Sequence, residues 1–277
     1  MASIDRMNRS QRLVAIMKLL SERPGELLPL SFFTERFGAA KSTISEDLSL
    51  VKEALEADGS GLLRTHAGAA GGVQYWPLPS REEEQETILE LCRLLRDPGR
   101  ILPGGFVYMT DLITHPIWSA RIGAIMAARF IDAAPDVVLT VETKGIPLAL
   151  MVARALGLPM VVARREGRVT EGPSVTLHYI SGSTRRIHTM TVGLRALQRG
   201  SRVLVVDDFM KAGATARAMV EVAGEMGCSV AGVGVFVATA EPAQKQVERY
   251  VSLLTLEEVD EGARTVRVVP ADRMTKE

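Results

Sequence analysis

The run Val203-Leu204-Val205-Val206-Asp207-Asp208-Phe209-Met210-Lys211-Ala212-Gly213-Ala214-Thr215 constrains this chain more than any other stretch, because it sets a buried strand, two acids and a glycine turn at one spacing. Four consecutive apolar residues read as a parallel strand covered on both faces. Just after Thr215 the period becomes helical, at Met219, Val220, Val222 and Ala223, which implies a strand-loop-helix unit. Amides at the start of such a helix have no intrahelical partner. With the helix dipole they form an anion site, and Gly213 lets the backbone approach a phosphate closely. Asp207 and Asp208 at the strand end can accept hydrogen bonds from two ribose hydroxyls, which a cradle for phosphate alone would not need. The bland alternative is that the acids end a strand and cap a helix while the glycine serves only the turn. All the parts together at this spacing favour a ribose phosphate.

A second unit of the same kind lies upstream. Asp136 to Val141 is an apolar strand, followed by Glu142-Thr143-Lys144-Gly145-Ile146-Pro147 and a helical run through Leu148, Val152 and Leu156 that Gly157 and Pro159 stop. Met160 to Ala163, Ser229 to Val237 and Tyr250 to Leu254 supply further strands, spaced by helical stretches as in a doubly wound α/β sheet, whose ligand sits at the strand carboxyl ends. The run from Val203 to Thr215 resembles the signature of type I phosphoribosyltransferases. The usual loop of that family carries Thr-Gly before its final Gly-Thr or Gly-Ser; here Lys211-Ala212 stands in the first place and Ala214 in the second. Thr143, Lys144 and Gly145 resemble the family's pyrophosphate loop, where amides and a cation meet the diphosphate; the plain alternative for Lys144 is a solvated loop lysine. Arg164 to Met190 is polar and rich in glycine, serine and threonine, including Val169-Thr170-Glu171-Gly172-Pro173 and Tyr179-Ile180-Ser181-Gly182-Ser183, and reads as a hairpin. In the enzymes the corresponding loop closes over substrate, while an ordinary surface hairpin explains the same composition. No catalytic residue is assigned.

The first eighty residues are organised differently. Leu13, Ile16, Met17 and Leu20 form a helical stripe after Ser10; Phe32, Phe33 and Phe37 mark a short second helix; Gly38 to Lys41 makes a turn. A third helix buries Ile44, Leu48, Val51 and Leu55 and turns Ser42, Thr43, Ser45, Glu46, Ser49 and Lys52 elsewhere, with Thr43-x-x-Glu46 as a capping box. Leu62 to His66 and Val73 to Trp76 alternate like two strands joined across Ala67 to Gly72. Three helices and a hairpin make a winged helix, which sets the start of its third helix in a major groove and its wing against the neighbouring backbone. Arg6, Arg9, Arg12, Lys41 and Arg64 are the cations expected on that face, with Ser42, Thr43 and Ser45 at the helix start. Residues 1–80 hold nine Lys or Arg and nine Asp or Glu, so phosphate affinity would have to come from clustering. A protein-docking winged helix is the alternative.

Taken together the two halves resemble the purine operon repressors of Gram-positive bacteria over nearly the full length. The resemblance rests on residues 28–36, 40–48, Gly68-Ala69-Ala70-Gly71-Gly72-Val73, Ile101-Leu102-Pro103-Gly104-Gly105 and Asp207 to Thr215. It implies a cytoplasmic homodimer with a winged-helix DNA-binding domain over residues 1–76 and a phosphoribosyltransferase-like domain with a parallel sheet over 80–277. It further implies that the winged helices bind operators of purine genes, and that the second domain takes phosphoribosyl diphosphate (PRPP), with or without Mg2+, as a signal that is not turned over. The Lys211-Ala212 departure from the enzymes is shared with these repressors. Guanosine tetraphosphate, also rich in phosphate, is expected to fit the same cradle as a competitor. An active purine phosphoribosyltransferase with an appended interaction domain is the rival reading.

Global properties agree. A chain of 277 residues with 47% hydrophobic content can fill one small and one mid-sized core. Cys92 and Cys228 sit in apolar contexts and read as buried, reduced thiols; His66, His115, His178 and His188 have no metal-ligand spacing with them. No signal peptide or apolar run of membrane length is found. Pro77 to Ser80 reads as the linker, followed by a helix that Ser80-x-x-Glu83 caps and that buries Ile88, Leu91, Cys92 and Leu95. Ala271 to Glu277 is expected to fray.

Overall fold

The computed structural model describes residues 7–68, 71–166, 172–180 and 187–271. Arg6, the hairpin residues Val169 to Glu171 and Ser181 to Ser183, and the terminal residues after Ala271 lie outside the described residues. The chain divides into two compact units, residues 1–83 with 154–157 and residues 84–153 with 158–277.

The first unit contains α1 (Arg9–Glu22), β1 (Leu28–Pro29), α2 (Leu30–Phe37), α3 (Lys41–Asp58), β2 (Leu62–His66) and β3 (Gly72–Trp76). β3 lies between β1 and β2 in an antiparallel sheet, so the expected two-stranded wing gains a third short strand at Leu28–Pro29. Ile16, Leu20, Phe33, Ile44 and Leu48 meet Leu63 and Val73 in one core, which is what the helical and alternating periods require. Two helix starts differ from expectation. α1 begins one residue before Ser10, where Asn8 and Gln11 make a reciprocal capping box, each side chain 3.0 Å from the other's amide. α3 begins at Lys41 with Ala40 as its cap and no side-chain cap bond, so Thr43 and Glu46 stand inside the helix and form no box at its end.

The second unit begins within α4 (Arg81–Leu95), whose start is the box read from sequence: the Ser80 amide donates to Glu83 at 2.9 Å and the Glu83 amide to Ser80 Oγ at 3.1 Å. Ile88, Leu91, Cys92 and Leu95 are buried as the period demands, and Cys228, the other free thiol, is half-buried. A small hairpin of β4 (Ile101–Leu102) and β5 (Phe106–Val107) precedes α5 (Thr110–Thr114) and α6 (Pro116–Phe130). β6 (Val137–Val141), α7 (Gly145–Leu156) and β7 (Met160–Ala163) come next, then the hairpin of β8 (Ser174–Ile180) and β9 (Ile187–Gly193). β10 (Arg202–Met210), α8 (Ala214–Glu225), β11 (Ser229–Thr239), β12 (Val251–Asp260) and β13 (Thr265–Pro270) complete the chain.

The main sheet has the order β13-β12-β11-β10-β6-β7, with β13 antiparallel and the other five strands parallel. The expected alternation of strand and helix is incomplete. The connection from Ala240 to Tyr250 holds no helix, and the β8–β9 hairpin takes the place of one between β7 and β10. In chain order the parallel strands lie second, first, third, fourth, fifth, so the order reverses between β6 and β10. Loops leaving those two carboxyl ends diverge to opposite faces and open a crevice there. Among the described residues, no helix is long and apolar enough to cross a membrane.

Candidate functional site

The crevice at the reversal point is a cleft of about 300 Å³ lined by the end of β6, by Thr143, Lys144 and Gly145, by Asp207 to Phe209 and by Thr215. The two loops read from sequence therefore converge on one cavity, 60-odd residues apart in the chain but on adjacent strands. The turn after β10 is shaped by Gly213, at φ 83°, which precedes α8 and leaves the first amides of that helix to an outside acceptor. Lys211 is exposed, whereas Met210, Gly213 and Ala214 are buried; of residues 210–215 only Thr215 lines the cleft.

The two acids are not equivalent. Successive strand side chains point to opposite faces, so Asp208 is half-exposed while Asp207 is 6% exposed, its Oδ1 accepting the Asp208 amide at 2.9 Å. Burial pushes the Asp207 carboxyl well above the usual carboxylate range, and the Asp208 charge beside it pushes the same way. α7 approaches closely enough that a Cβ on Gly145 would stand 2.5 Å from Thr140 Oγ1 and 3.0 Å from Asp207 Oδ1. Thr140 Oγ1 is buried without a hydrogen-bond partner. This unpaired hydroxyl lies behind Gly145, itself a lining residue of the cleft, where the close approach of α7 confines it.

Sequence reasoning missed the remaining walls. Glu142 accepts the Arg165 amide at 2.7 Å and pairs with Arg164 at 3.6 Å, and Arg165 and Tyr179 line the cleft. Tyr179 faces His188 across the β8–β9 hairpin with ring centroids 5.7 Å apart. Only the polar composition of residues 164–190 hinted that this segment faces a site. Among the described residues, no group of three or more His, Cys, Asp or Glu side chains is placed to hold a metal ion.

The first unit carries a separate groove of about 490 Å³ between α2, α3 and the wing. Lys41, Ser45, Ser49 and Lys52 follow one face of α3 into it, joined by Thr65 and His66 of the wing, and none of its lining residues is acidic. The spacing 41, 45, 49, 52 is the signal that sequence reading passed over. Of the expected cations, Lys41 lies on this groove. Arg12 does not: its side chain is 12% exposed and its guanidinium bonds the fully buried Asp47 at 2.5 Å, which makes it a brace between α1 and α3. Arg9 leans on Asp47 at 3.4 Å and Glu46 at 3.7 Å. Arg64 stacks its guanidinium 5.4 Å from the Trp76 ring centroid. Ser42 is exposed and Thr43 half-buried, neither lining the groove.

Comparisons with known proteins agree with this division. Residues 8–77 match the family "Bacterial purine repressor, N-terminal" and residues 110–269 match "Phosphoribosyl transferase domain". The chain is 43% identical over 263 residues to the purine biosynthesis transcriptional repressor PurR of Bacillus subtilis (strain 168), covering 95% of this chain and 92% of that one. It is 38% identical over 262 residues to the purine biosynthesis transcriptional activator PurR of Lactococcus lactis subsp. lactis (strain IL1403), covering 95% and 97%. The xanthine phosphoribosyltransferase of Limosilactobacillus fermentum is 32% identical over 152 residues, 53% of this chain and 78% of that one, so the enzyme likeness covers only about half of the chain. With the repressor likeness running through both units, the chain belongs to the bacterial purine repressor family.

Proposed function

We propose that the protein is a DNA-binding transcriptional repressor of purine biosynthesis genes, acting as a homodimer, and that its second unit binds PRPP as an effector which lowers operator affinity. The observation that carries this reading is the convergence of Asp207, Asp208 and the Thr143-Lys144-Gly145 loop on one cleft at the sheet's reversal point. In this reading the acids receive the ribose hydroxyls, the turn from Lys211 to Thr215 receives the 5-phosphate, and Lys144 with the amides beside it receives the diphosphate, with or without Mg2+. Guanosine tetraphosphate competes for the same anion cradle. The acid-free groove of α3 and the wing supplies the cations and hydroxyls that DNA phosphates require, and Lys41 and Ser45 are its expected contacts.

Linkage demands that operator DNA weaken PRPP by the factor by which PRPP weakens operator. Replacing Asp207 and Asp208 together by alanine is expected to leave operator binding intact in a salt-controlled mobility shift while abolishing release by PRPP. Release unchanged from wild type would refute the assignment. Relatives named as repressor and as activator share the same family, so transcription from a target promoter, with and without PRPP, decides the sign. Turnover is not expected, because Lys211-Ala212 replaces the Thr-Gly of the enzymes. Pyrophosphate release with adenine, guanine, hypoxanthine or xanthine would instead favour an active phosphoribosyltransferase.

A further inference from the structure

The segment from Thr239 to Gln246, which takes the place of a helix between β11 and β12, folds back along the turn after β10. The Gln246 amide donates to the Ala212 carbonyl at 2.8 Å, and Thr239 Oγ1 approaches the Lys211 carbonyl at 3.4 Å. A Cβ on Gly213 would meet the Gln246 amide nitrogen at 3.2 Å and the Lys245 Cβ at 3.6 Å, so the strap lies directly against the turn. Side chains close the strap on itself, and that of Lys245 spans it. Lys245 Nζ donates to the Thr239 carbonyl at 2.7 Å and to Thr239 Oγ1 at 3.3 Å, and that hydroxyl in turn donates to the Glu241 carbonyl at 2.6 Å.

We infer that Lys245, resting on the reading of the cleft given above, is a positioning residue for the 5-phosphate end of the ligand: it closes the strap whose Gln246 amide holds the Ala212 carbonyl and whose Thr239 hydroxyl lies against the Lys211 carbonyl, and so sets the amides of residues 212 and 213. A half-buried ammonium is costly to hold, and burial lowers the Lys245 pKa while Glu241 opposes the change. A lysine serving only solubility would place its ammonium in water, not on a main-chain carbonyl six residues back. Its charge-assisted bonds also sit beside the anion turn, where a positive field favours phosphate.

The assignment separates the two ends of the ligand, and the test uses that separation. Calorimetric titrations of the full chain would employ PRPP, ribose 5-phosphate and inorganic pyrophosphate, with operator affinity measured alongside. Lys245→Met removes charge-assisted hydrogen bonds to the strap, so PRPP and ribose 5-phosphate are expected to weaken roughly tenfold to a hundredfold. Pyrophosphate and operator affinity are expected to stay within about twofold of wild type, and Lys245→Arg to restore most of the loss. An equal fall for pyrophosphate would show a general collapse of the cleft and overturn the inference. So would unchanged ribose 5-phosphate binding in Lys245→Met, or an arginine variant as weak as the methionine one. Wild-type protein that takes none of the three ligands would end the underlying reading of the cleft, and this inference with it.

Discussion

Gly145→Ala is the smallest change that tests how closely α7 approaches the strands at the cleft wall. The added methyl would sit 2.5 Å from Thr140 Oγ1, closer than atoms in contact are found, and 3.0 Å from Asp207 Oδ1, tighter than most contacts, and both neighbours are buried. Thr140 is fully buried, so its hydroxyl can yield only by changing rotamer in a packed interior, and otherwise the helix start must move. Forcing a methyl into a packed interior costs about 1–3 kcal/mol. For a unit of this size each kcal/mol lowers Tm by about 2–4 °C, which sums to roughly 2–12 °C. The displaced loop is Thr143-Lys144-Gly145, so PRPP affinity is expected to fall at least about tenfold with operator affinity retained. Calorimetric melts and titrations measure both effects. Removing the nearest obstacle separates clash from general damage: Thr140→Ala combined with Gly145→Ala should regain stability relative to the sum of the single losses, with a coupling of about 0.5–3 kcal/mol. Additive losses, or a Gly145→Ala protein melting within about 1 °C of wild type, would refute the close approach.

Three further outcomes are expected. Asp207 has a raised folded-state pKa, so as pH climbs past the ordinary carboxylate value of 3.8 the unfolded chain releases this proton first and the fold loses stability until the folded pKa is reached. Asp207→Asn should therefore raise Tm at about pH 7 and leave it nearly unchanged below about pH 3.5; the opposite trend in scanning calorimetry would contradict the burial. Asp47→Ala strands the Arg12 guanidinium in the α1–α3 interface and should cost about 3–5 kcal/mol, read by hydrogen exchange of those helices, with much of the loss restored by Asp47→Leu paired with Arg12→Met. Lys41→Ala and Lys52→Ala should each reduce the salt dependence of operator binding by about one ion with PRPP affinity unchanged.

What was legible in the sequence was local. The strand, paired acids and glycine turn of residues 203–215 lie within one short stretch, and a buried parallel strand leaves little else for Val203 to Val206 to be. The alternating run Leu62–His66 and the apolar run Met160–Ala163 are likewise single local stretches, and each strand coincides with its sequence reading. The α6 helix was legible but unread: Pro116 at its start and Ile122, Ile125, Met126 and Phe130 on its buried face carry the period. Other features had no local signal. Arg12 and Asp47 are 35 residues apart, and a helical arginine looks exposed until its partner is located. The burial difference between Asp207 and Asp208 depends on α7 pressing on one face of β10. β13 and the helix-free link before β12 were missed because a strand's neighbour and a crossover's path are set by the sheet, not by composition.

The α3 helix divides its labour by side. Its inward acid, Asp47, is committed to holding α1, while the lysines and serines at 41, 45, 49 and 52 face an open groove and support no core. Affinity for a polyanion can thus be retuned, residue by residue, without endangering the scaffold that displays it. A chain of zero net charge needs such local segregation to recognise a charged polymer, and its response to ionic strength will follow those few cations and not the protein as a whole.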